Sequence, residues 1–189
     1  KAQGFTQTSN AQPVAPFGYS GSLNVESNNA GDLTGGTVVV PGSSLSPFTL
    51  SGSPGFFTSN AGFATKPLLD AAFPNNATYT FNLTGGTLNG QSGVLSAPVA
   101  DAYSATVPFF TGSTYSTLQG LNVANAINLT FNAYATPSGV NTPLTFIAIN
   151  RVSDGQFVFG ASGPNTLSSA LVAANTLAPG TQYDLSIVY

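Results

Sequence analysis

Two segments of the chain alternate apolar and polar residues with a period of two: TYTFNLT at 78–84 and INLTFNAY at 127–134. In the first, Tyr79, Phe81 and Leu83 fall on one side and Thr78, Thr80, Asn82 and Thr84 on the other. In the second, Ile127, Leu129 and Phe131 oppose Asn128, Thr130 and Asn132. This period belongs to a strand with one face on a core and the other turned to water or a neutral partner. Further strands are predicted at 20–26, 36–40, 47–52, 144–150, 155–160 and 182–189, separated by Gly, Pro and Asn clusters. Many short strands punctuated in this way predict an all-β chain, a sandwich or a barrel, with no long helix.

Turn chemistry supports these limits. Asp154-Gly155 and Asn89-Gly90 are type I′ hairpin signals. SSALVAAN at 168–175 is ambiguous, since its alanines permit a helical turn, and the Gly/Ser/Phe-rich stretch 42–63 reads as a long loop or an irregular edge hairpin. Residues 1–17, with two prolines and no sustained period, read as an extended arm. The organisation expected is therefore an arm at 1–17, a β-rich region at 18–110 and a sandwich portion at 111–189, the last two able to form one continuous domain. LTGGT occurs at 33–37 and again at 83–87, a weak hint of duplication in a chain rich in these residues.

Charge is nearly missing. Asp, Glu, Lys and Arg make up 5% of the residues, against about 25% in an ordinary domain. The chain has no His and no Cys, which removes Ser-His and Cys-His nucleophile pairs, imidazole and thiolate metal sites and disulfides. Only six carboxylates exist, and solvated turn or strand positions explain Asp32, Asp154 and Asp184. No enzyme activity, cofactor or metal site is expected. Three basic residues, at 1, 66 and 151, are too few and too scattered to neutralise a phosphate backbone, so nucleic acid is not an expected partner. No apolar run reaches the roughly 18–20 residues that span a bilayer, and no membrane insertion is expected. The sequence opens on Lys1, which suggests a processed product or an excerpt.

LAPGTQY at 177–183, followed by DLSIVY, resembles the penultimate strand of fibronectin type III and related immunoglobulin-like sandwiches. The resemblance implies a tyrosine corner, in which the Tyr183 hydroxyl returns to the backbone and Leu177 packs beneath the ring. FPNNATYTF at 73–81 is similar to a segment of uncharacterised secreted bacterial surface proteins that carry such a sandwich. This similarity implies an extracellular or cell-surface location and no particular activity. A sandwich of this type has one more strand after the Tyr-bearing one, so the visible chain is expected to lack its last strand. Strands from 18–110, chain beyond the visible end, or the arm of a neighbouring copy could fill the gap. In the third case Phe5, Val14 and Phe17 are the anchors of a donor strand and copies add head to tail.

These readings converge on a secreted structural protein that self-assembles into a fibre, sheath or surface layer, with copies of itself as partners. Scarce charge suits close packing of like subunits. The alternative is a carbohydrate-binding or adhesive module, with Tyr103, Tyr115 and Tyr134 as sugar-stacking candidates and glycans as partners. A viral coat component is a third, weaker reading. Sequons at Asn76, Asn82 and Asn128 are candidate N-glycosylation sites, although their number is about what this composition gives by chance.

Overall fold

The computed structural model describes residues 1–101, 107–135 and 144–189. In chain order the elements are β1 (Ala2–Gly4), β2 (Gly18–Glu26), β3 (Gly35–Val39), β4 (Phe48–Ser53), β5 (Phe56–Phe63), α1 (Lys66–Ala72), β6 (Thr78–Thr84), β7 (Ser92–Ser96), α2 (Thr114–Leu118), β8 (Ile127–Thr130), β9 (Leu144–Arg151), β10 (Phe157–Pro164), β11 (Ser169–Val172) and β12 (Tyr183–Val188). Among the described residues every strand pairing is antiparallel and the α-helices are two and short, so the chain is an all-β, sandwich-like protein. It divides into two compact units, one of Lys1–Gly4 with Pro16–Asp101, the other of Phe5–Ala15 with Ala102–Tyr189.

The first unit is a seven-stranded sheet in the order β1-β2-β5-β4-β3-β6-β7. Its core gathers the inward residues of several strands, Leu23, Val38, Phe48, Leu50, Phe57 and Tyr79, with Leu33 and Val40 from their ends. Helix α1 begins after Thr65, carries a proline in its first turn, where the missing N–H is no loss, and buries Leu69 and Ala72. Phe73, at its C-cap, lies 5.0 Å from the Phe48 ring and 6.0 Å from the Phe63 ring, the latter edge-on. Gly21 on β2 makes room for it, because a Cβ there would stand 2.6 Å from the Phe73 ring. The two LTGGT copies meet at the β3–β6 pairing, with Gly35 opposite Thr84 and Gly36 opposite Leu83.

The second unit is a sandwich. A three-stranded sheet, β10-β9-β12, and a two-stranded sheet, β11-β8, share one core made of Ile127, Leu129, Phe131, Ile147, Ile149, Ala170 and Val172, closed by Phe110 and Leu177. Here β8 pairs with β11 and β9 with β12, the pairing of strands B with E and C with F in immunoglobulin-type sandwiches. The alternation in INLTFNAY appears as buried Ile127, Leu129 and Phe131.

Several expectations are corrected. The stretch 42–63 holds the β4–β5 hairpin, and β5 is an interior strand bonded to β2 on one side and β4 on the other. SSALVAAN contributes strand β11: Ala170 and Val172 point inward, and pairing with β8 overrides the helical tendency of its alanines. Neither hairpin signal makes a type I′ turn. At 154–155 only Gly155 has positive φ, and Arg151 N–H donates to the Gln156 carbonyl at 2.8 Å, which closes a longer loop. At 89–90 the pair Asn89 (φ −57°, ψ 127°) and Gly90 (φ 78°), with Gln91 N–H on the Leu88 carbonyl, forms a type II turn that needs glycine in its third position.

Candidate functional site

Lys66 and Asp70 stand one helical turn apart on α1, with Nζ 2.5 Å from Oδ2. Asp101 reaches the same place, its Oδ2 3.0 Å from Lys66 Nζ as an ion pair. Lys1, just before β1, completes the cluster: its Nζ is 3.0 Å from Asp70, 2.9 Å from Asp101 and 2.8 Å from Oδ1 of Asn75. The Asn75 side chain also lowers the Asp101 carboxyl. The side chains of Lys1 and Asp101 are only 13% and 8% exposed. Burial pushes the Asp101 carboxyl up, but hydrogen bonds from Lys1 and Lys66 outweigh it and hold the group below its ordinary value. Asp70 is lowered chiefly by Lys66. Lys66 is raised by its two carboxylate partners.

This cluster was not anticipated, and the spacing Lys66-x-x-x-Asp70 was its only local signal. Arg151, the third cation, forks onto Asp154 with N–O distances of 2.9 and 2.6 Å. Its guanidinium draws the Asp154 carboxyl down to about 2. All three basic side chains of the chain are thus engaged in ion pairs.

The arm divides between the units. Residues 2–4 pair with β2 at one end of the first sheet, and Phe17 N–H returns to the Gly4 carbonyl at 2.9 Å. In the second unit the Gln7 amide makes a two-bond ring with the backbone of Phe110, donating to its carbonyl at 2.8 Å and accepting its N–H at 2.7 Å. Asn10 binds Ser116 through both its Nδ2 and Oδ1. Of the proposed anchors, Phe5 is half-buried, Phe17 is 71% exposed and Val14 is fully exposed.

Each remaining candidate has a definite place. Ala178 N–H donates to the Tyr183 hydroxyl at 2.9 Å, and Leu177 is buried in the core against which Tyr183 packs. Tyr103 lies outside the described residues. Tyr115 is half-buried on α2, and the Tyr134 ring packs 4.7 Å from that of Tyr189, whose hydroxyl donates to the Asn132 carbonyl. The three tyrosines therefore form no common platform among the described residues. Asn128 is exposed on β8, Asn82 is half-buried between β3 and β7, and Asn76 is exposed at φ 53°. Among the described residues, no cluster of His, Cys, Asp and Glu is arranged to hold a metal, and no helix is long and apolar enough to cross a membrane.

The sheet ends are the least covered parts. All five residues of β7 are exposed, with Val94 at 73% and Leu95 at 56%. Among the described residues β7 pairs only with β6, and β12 only with β9. No protein-family model matches the chain and no curated protein is similar to it, so its function is read from this geometry alone.

Proposed function

We propose that the protein is a structural subunit of an extracellular fibre, sheath or surface layer, built by addition of copies of itself. The observation that carries this reading is β7. An edge strand with unpaired N–H and C=O groups is a template for another chain, and proteins that remain monomers blunt such edges with charge, proline or a bulge. SGVLS has no charge and no proline, and its pairing with β6 runs in continuous register. Val94 and Leu95 add apolar surface to both of its faces. Charged residues make up 5% of the chain and its net charge is −3, so little like-charge repulsion opposes close approach of a second copy. Donor-strand exchange is a variant of the same reading: Val14 and Phe17 are exposed, but the arm would have to give up the Gln7 and Asn10 contacts to leave.

Electron microscopy and sedimentation of concentrated protein test the proposal. Ordered filaments or sheets are expected. Val94→Lys places a charge on the edge and should abolish them if copies join through β7, while Val14→Asp with Phe17→Asp should abolish them if the arm is donated. A monodisperse monomer at all concentrations overturns the proposal.

A further inference from the structure

We propose that Lys1 and Asn75 join in an intramolecular isopeptide bond, with Asp101 as the catalytic carboxylate. The inference is independent of assembly and rests on three groups that meet from distant parts of the sequence. The Lys1 amine is 2.8 Å from the Asn75 carbonyl oxygen and 2.9 Å from the Asp101 carboxylate. The Asn75 side chain also helps to hold the Asp101 carboxyl below its ordinary value. Nucleophile, acyl group and proton carrier thus touch one another, the arrangement that converts a bimolecular step into a positioned one. The carbonyl bond length places the Asn75 Cγ within about 4 Å of the amine.

The surroundings select these partners. Both lysines meet Asp70 and Asp101, and Lys1 in addition places its amine on the Asn75 carbonyl oxygen. Of the acyl groups within reach, Asp70 and Asp101 are held ionised and are poor electrophiles, while the Asn75 amide is neutral. Lys1 is held by the pairing of β1 with β2, and the backbone after Asn75 is pinned by Asn76 N–H on the Pro98 carbonyl at 2.9 Å. Asp101 is nearly closed to water, where a proton passes between partners without competition from solvent.

The step balances without any redox partner. Asp101 takes one proton from the Lys1 ammonium, and the freed lone pair attacks Cγ of Asn75. The Cγ–Nδ2 bond breaks as the attacking nitrogen passes a further proton, through the carboxyl group, to the departing nitrogen. Ammonia leaves, and it or water removes the proton first taken by Asp101. The product ties the residue before β1 to the connection between α1 and β6. A chain without cysteine cannot form a disulfide, and this bond would restrict the unfolded chain in the same way.

Intact-mass and tandem mass spectrometry of the purified full chain provide the test. The expected chain is one ammonia lighter than its sequence, with a branched peptide that joins Lys1 to Asn75. Lys1→Ala and Asn75→Ala should each restore the full mass, and so should Asp101→Asn with circular dichroism still showing strand. A wild-type chain of full sequence mass, with the Lys1 side chain open to acetylation, overturns the proposal whether or not any variant folds.

Discussion

Thr145 stands on the core face of β9 with Ile147 and Ile149, fully buried, and its hydroxyl has no hydrogen-bond partner among the described residues. A buried donor left unmade costs free energy, whereas a methyl of the same shape in that place would add packing. Thr145→Val should therefore stabilise the protein by about 1 kcal/mol, read as a rise in the urea midpoint at unchanged slope. Phe56 and Phe57, consecutive in β5, follow strand geometry in the same way. Phe57 is buried while Phe56 is 42% exposed, as neighbours in a strand must point opposite ways. That placement follows from strand geometry once β5 is in place, although 42–63 reads as a loop or an edge hairpin in the sequence. The ionic cluster was not legible, because Lys1, Asn75 and Asp101 are joined only by the fold, and sequence carries no trace of a contact between residues so far apart.

Among the elements, the strands with clean alternation could be read directly, and β8 and β6 lie where the pattern puts them. Those missed lack an apolar period. FFTSNAGF in β5 owes its place to two bonded neighbours, and SGVLS in β7 is exposed along its whole length, so neither carries a core-facing stripe. Helix α1 brings its own pH dependence. Asp70 and Asp101 have folded-state values below the unfolded ones, so their contribution is fully present above the ordinary carboxylate range and is lost as pH falls through the folded values. Thermal stability should stay flat from neutral pH to about 5 and fall below about 4. Asp70→Asn should flatten that acid limb, measured by melting temperature across the series, because one of the titrating partners of Lys66 is gone.

At the scale of the whole molecule, the scarcity of charge has a sharper meaning than the count suggests. The cations are all spent inside ion pairs, four of the charged groups sit together around α1, and apart from Glu26, Asp32, Asp184 and the Arg151–Asp154 pair what remains outward is neutral strand and loop. Assembly through such a surface should respond weakly to salt, since exposed charges are what screening acts on. The fold class was legible because period and turn residues are local. The sharing of the arm between the two units was not, because it depends on where Gln7 and Asn10 find their partners.

The Gln7 amide occupies both backbone groups of Phe110, the donor and the acceptor that an adjoining strand would use. It is a tethered competitor, and a short tether gives it an effective concentration on the order of millimolar. Any chain that seeks this position must first outbid a resident that never diffuses away. Joining at this position would therefore begin only above a threshold of crowding.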